Sequence, residues 1–195
     1  MKTITTNLYK FDELSESAQE KAITNWRNNT TEYSWIDEYM NSLKEFCSVT
    51  GIDLKDWSIS PYNHSYIKWE FDGAENINSV RLATWLINNW MDSFEKGKYY
   101  SIGSIGSNHR SRYSKIQMET CCPLTGYCGD DDLIYPVLEF IKKPDNSDIN
   151  DIIGNCMDSF IKSVNSDCES QDSDEYIKET IEANDYDFTI DGELN

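Results

Sequence analysis

Apolar residues recur at three- and four-residue steps through most of this chain, the period of a helix with one buried face. Ile36, Tyr39, Met40, Leu43, Phe46 and Cys47 make one such stripe and predict a helix over Thr31–Val49, with Gly51 as its stop. Val80, Ala83, Ile87, Trp90, Met91 and Phe94 make a second, widened by Leu82 and Leu86, over Asn78–Glu95. A helix with so broad an apolar face belongs in the centre of a core, and Gly97 would end it. The longest stripe is Ile149, Ile152, Ile153, Cys156, Met157, Phe160, Ile161, Val164 and Cys168. Ser15 is a natural N-cap for a further helix that places Leu14, Ala18, Ala22 and Trp26 on one face. A shorter helix is expected over Ser173–Ala183.

Other segments carry the two-residue period of strands. Ile67, Trp69 and Phe71 alternate with Tyr66, Lys68 and Glu70, and Ile52–Ser60 supplies a partner strand across a turn at Pro61–His64. Thr3–Phe11 and Tyr113–Glu119 read as strands, and Tyr186–Leu194 as a last strand with an Asp191-Gly192 turn. Residues 97–112, rich in Gly, Ser and Tyr, read as a loop or loose hairpin. Cys121–Gly129 has neither period and reads as a fixed turn that leads into a helix over Asp130–Lys142. Asp130, Asp131 and Asp132 sit at its positive end, while Pro136 argues for a start nearer Asp132 or for a kink. The expected fold class is α+β, mainly helical with a small antiparallel sheet. It is expected as one acidic domain over 1–195, with sub-parts at 1–95, 96–129 and 130–195.

Charge changes this picture more than composition does. The net charge is −18, but 25 aromatic residues are too many for a disordered polyanion. Residues 1–95 hold 8 Lys/Arg against 15 Asp/Glu, residues 96–129 hold 5 against 1, and residues 130–195 hold 4 against 19. A basic island therefore precedes a very acidic final third, whose field repels nucleic acid and attracts basic partners. The best candidate for a membrane span, Val80–Phe94, is broken by Arg81, Asn88, Asn89 and Asp92. Met1-Lys2 leads into threonines rather than an apolar leader, so a cytoplasmic protein with six reduced cysteines is expected.

Each chemical motif has a plainer reading beside it. Cys121, Cys122 and Cys128 with His109 could ligate zinc, but Cys-x5-Cys is not the tight spacing that presents two thiolates to one ion. Buried thiols packing a turn explain the segment as well, and no metal or other cofactor is expected. Lys96, Lys98, His109, Arg110, Arg112 and Lys115, interleaved with Tyr99, Tyr100 and Tyr113 around Gly103–Ser107, suit an anionic ligand such as a nucleotide. The alternative is a solvated loop that offsets the acidic remainder. Asp167, Glu169, Asp172, Asp174, Glu175, Glu179 and Glu182 would decorate the last two helices, either as a solubilising face or as a mimic of duplex phosphates. Asp187-x-Thr189-x-Asp191-Gly192 matches half of a calcium loop, but the chain lacks the distal glutamate. With His64 and His109 as the only histidines and no hydrolase motif, no enzymatic activity is expected.

Several stretches together resemble one family of small proteins encoded by bacteriophages and prophages. They are Leu8–Ser15 with Ala18 and Lys21-Ala22-Ile23, Pro61–Ile67, Lys98–Ser101, Cys122–Cys128 with Asp131-Asp132, and Glu182–Phe188. The family has no settled activity, and some members carry the label of antitoxin in a toxin–antitoxin stability system. The resemblance implies an accessory protein of the host bacterial cytoplasm that binds and disables a host defence macromolecule, in the manner of an anti-CRISPR protein. The expected partner is a host protein, such as a basic nucleic-acid-binding effector, with no direct contact to nucleic acid or membrane. A nucleotide sponge built on the basic loop and an antitoxin-like neutraliser are the alternatives.

Overall fold

The computed structural model describes residues 7–29, 35–60, 64–94, 100–102, 110–112 and 122–195. The fold is mainly helical α+β. Among the described residues the helices are α1 (Glu16–Asn29), α2 (Ile36–Thr50), α3 (Ser79–Asn89), α4 (Met91–Phe94), α5 (Gly129–Lys142), α6 (Ile149–Gln171) and α7 (Asp174–Ala183). Strands β1 (Asp53–Ser58) and β2 (Tyr66–Glu70) form one antiparallel pair, and β3 (Tyr100–Ile102) and β4 (Arg110–Arg112) form another. No helix among the described residues is long and apolar enough to cross a membrane.

Contacts divide the chain into two compact units: Met1–Ser34 with Ser166–Asn195, and Trp35–Asn165. The grouping joins the two ends of the chain and cuts across the sub-parts at 1–95, 96–129 and 130–195 that charge suggested.

In the unit Trp35–Asn165, α2 buries Tyr39, Met40, Leu43, Phe46 and Cys47 against α5, as its stripe predicts. Gly51 ends it in the left-handed conformation at φ 76°. The stripe expected over Asn78–Glu95 is buried at Ala83, Met91 and Phe94, and departs from the expectation at its first member, Val80. Leu82, Leu86 and Trp90 are buried, while Val80 is 65% exposed. Residues two apart on a helix are separated by about 200°, so facing Leu82 inward turns Val80 to solvent. The ring of Trp90 decides the choice, because it packs among Phe46, Phe71, Trp85 and Phe94. The helix also breaks at Trp90 before α4 resumes. Helix α5 starts at Gly129 rather than near Asp132, and Pro136 lies inside it at the cost of one helical hydrogen bond. In β1–β2, Lys68 pairs with Asp56 at 2.9 Å across the ladder, and the register shifts between Leu54 and Asp56.

The unit formed by the two ends has its own core: Phe11, Leu14, Ala18, Ala22, Ile177, Ile181 and Phe188, flanked by Tyr9, Ile23, Trp26 and Tyr186. The strand expected over Thr3–Phe11 is absent over its described part. Tyr9 exchanges two 2.9 Å hydrogen bonds with Phe188, and the chain then turns into a 3-10 helix at Phe11–Glu13. Lys10 N–H donates to Glu13 Oε2 at 2.8 Å, which removes it from any ladder. The expected last strand is likewise reduced to isolated bridges, Tyr9 to Phe188 and Phe188 to Leu194, around a turn at Gly192.

Candidate functional site

The cysteine turn is held from below by the start of α5. Asp130 is fully buried, and its Oδ2 accepts from the amides of Leu124 (2.9 Å), Thr125 (2.7 Å) and Gly126 (3.2 Å). Its Oδ1 accepts from the Thr125 hydroxyl at 2.9 Å. Asp131 accepts from the Cys122 amide at 2.9 Å and from its thiol at 3.7 Å. Hydrogen bonds to a charged group contribute about 1.5–3 kcal/mol each, so these carboxylates are committed to shaping the turn. Tyr39 closes the other side: it meets Tyr127 and Phe160 edge to face and takes the Cys128 thiol at 3.7 Å. A Cβ on Gly129 would lie 2.8 Å from its ring, which explains the glycine there.

Two of the four zinc candidates lie among the described residues, and each gives its thiol to a different side chain. Cys122 engages Asp131 and Cys128 engages Tyr39, while Cys121 and His109 lie outside the described residues. Among the described residues no group of three His, Cys, Asp or Glu is placed to hold a metal ion. The remaining thiols are poor nucleophiles. Burial pushes Cys47 up to about 12, Cys168 up to about 11, and Cys156 up as well.

Most of the basic island (Lys96, Lys98, Tyr99, Gly103–Ser107, His109, Tyr113 and Lys115) lies outside the described residues. The β3–β4 pairing sets Tyr100 across from Arg112 and Ile102 across from Arg110, with Ser101 opposite Ser111.

The seven acidic candidates, Asp167, Glu169, Asp172, Asp174, Glu175, Glu179 and Glu182, all fall in the unit formed by the chain ends. That unit carries 5 Lys/Arg against 16 Asp/Glu. Ser173 caps α7 by accepting the Tyr176 amide at 3.2 Å, and Ile177 and Ile181 turn inward. Their burial leaves Glu175, Glu179 and Glu182 exposed at four- and three-residue steps, with Glu169 exposed near the end of α6. None of these four carboxylates is in an ion pair among the described residues. Asp174 differs, because Arg27 pairs with it and also donates to the Asp172 carbonyl at 3.1 Å. Asp167 and Asp172 are half-buried. The half calcium loop is a backbone turn, with Thr189 N–H donating to Glu193 O and Gly192 N–H to Thr189 O.

Sequence reasoning missed a groove at the C-terminal end of α7, of about 450 Å³, lined by Lys10, Phe11, Asp12, Ile181, Glu182, Asp185 and Tyr186. Its two walls are some 170 residues apart in the chain, and no local pattern marks them as neighbours. Comparison with known proteins gives no match: no family model fits the chain, and none was found among curated proteins or solved structures.

Proposed function

We propose that this chain is a non-enzymatic, phage-type accessory protein that binds a basic surface of a host macromolecule and blocks it. The observation that carries the reading is the row Glu175, Glu179 and Glu182 with Glu169, exposed and in no ion pair among the described residues, although Lys178 stands within the row on α7. Successive carboxylates along α7 rise by about 4.5–6 Å, sparser than the roughly 3.4 Å per phosphate of a single DNA strand. The face therefore offers a patch for a basic protein surface, such as the nucleic-acid channel of a defence nuclease, rather than a full imitation of a duplex.

The test compares the wild-type chain with a Glu169→Gln, Glu175→Gln, Glu179→Gln, Glu182→Gln variant in affinity capture from a bacterial lysate. The captured protein's nucleic-acid binding is then assayed. The wild type captures a partner and blocks its binding, and the variant does neither. Equal behaviour of the two proteins overturns the reading.

A second reading is a sponge for a nucleotide signal. It is favoured by the β3–β4 register, which brings Arg110 and Arg112 across from Ile102 and Tyr100. Arg110→Ala with Arg112→Ala would abolish activity under this reading and spare it under the first. If neither set of substitutions matters, both readings fail.

A further inference from the structure

The groove at the C-terminal end of α7 has the chemistry of a cation anchor, and we propose that it receives an arginine from a basic segment of the partner protein. The inference rests on the acidic-face reading above and gives it a location. Phe11 and Ile181 form a buried apolar floor, and Tyr186 is half-buried beside them. Tyr186 is held in place by Trp26, with ring centroids 5.1 Å apart. Asp12 and Glu182 stand exposed at the rim, and neither is in an ion pair among the described residues.

The chain itself shows how one wall treats a cation. Lys10 Nζ donates to the Asp185 carbonyl at 2.7 Å and lies 3.0 Å from Asp185 Oδ1 and 2.8 Å from Asp187 Oδ1. Hydrogen bonds to Asp187 and then to Asp185 push the lysine above its ordinary value. Its charge is thus fully answered, and Asp12 and Glu182 are left to act on something else. The end of α7 adds the negative pole of a helix dipole at the same place.

Arginine fits this combination better than lysine. A planar guanidinium can lie against a tyrosine ring while its N–H fork reaches two carboxylates, whereas an ammonium meets only the charge. A groove of about 450 Å³ has room for neighbouring side chains as well, so the occupant is a short peptide segment. The imbalance of 5 Lys/Arg against 16 Asp/Glu in this unit selects a basic one.

The test titrates the full chain into fluorescently labelled hexa-arginine and hexa-lysine, read by anisotropy at low salt. Hexa-arginine binds more tightly than hexa-lysine. Asp12→Asn with Glu182→Gln weakens hexa-arginine about tenfold or more, as expected for two lost charge-assisted contacts. Glu175→Gln with Glu179→Gln, outside the groove, weakens it less than about threefold, as expected of screened surface charges. Amide shifts on binding centre on residues 10–12 and 181–186. Equal losses in the two double variants, or equal affinity for the two peptides, overturn the groove and leave the acidic face standing. Absence of hexa-arginine binding also overturns the groove, and the acidic face is then judged by the lysate capture alone.

Discussion

Asp130 holds Thr125 twice: Oδ2 takes the Thr125 amide at 2.7 Å and Oδ1 takes its hydroxyl at 2.9 Å. The same hydroxyl lies 2.9 Å from Ser42 Oγ on α2, so one buried carboxylate ties the cysteine turn to two helices. Asp130→Ala leaves three amides of the turn without this acceptor and is expected to cost at least about 3 kcal/mol in urea denaturation. Thr125→Val removes one donor and is expected to cost about 1–2 kcal/mol. Equal, small effects would mean that the turn holds its shape without the carboxylate.

Gly192 adopts φ 79°, and a Cβ there would lie 2.2 Å from the Ala18 carbonyl oxygen. Left-handed strain and a backbone clash act together at this position, so Gly192→Ala is expected to cost about 2–4 kcal/mol. Hydrogen exchange should show the loss at amides of α1 around Ala18 and Ala22. Unchanged protection there would overturn the close approach.

Lys21 pairs with Glu193 at 2.7 Å, and that bond raises the lysine pKa and lowers the glutamate's. The pair's contribution is full between the unfolded values of about 4.3 and 10.4. It is lost as pH falls through the lowered glutamate value, and again as pH rises through the raised lysine value. In Lys21→Met, the Glu193 carboxyl, followed by NMR, should titrate at a higher pH than in the wild type. An unmoved midpoint would show that the pair does not form in solution.

Cysteine labelling should follow burial. Cys128 is exposed and Cys122 half-buried, whereas Cys47, Cys156 and Cys168 are buried. Mass spectrometry after brief iodoacetamide treatment should find Cys128 and Cys122 modified well before the other three, which react only after denaturation. Early modification of Cys47 or Cys156 would contradict the packing of α2 and α6.

Helix positions were legible because a buried face imposes its period on the residues that form it. The stripe from Ile149 to Cys168 became α6 with Ile152, Ile153, Cys156, Phe160 and Val164 inside. The direction of a stripe was less legible. Val80 and Leu82 are both apolar, and only the packing of Trp90 among its aromatic neighbours decides which one faces in. The acidic residues of the candidate site could be named from the chain, but the groove beside them could not, because Lys10 meets Asp185 across 175 residues.

The cysteine turn divides the same way. Its place before a helix, and the aspartates that follow it, are written in the order of residues, as are the helical classes and the concentration of acid in the last third. Local period and charge need only near neighbours to be expressed. That Asp130 and Asp131 turn back to hold the turn rather than face a ligand was decided by tertiary structure. So was the pairing of the chain's two ends into one unit. A carboxylate's role depends on which donors reach it, and those donors come from segments that only folding brings together.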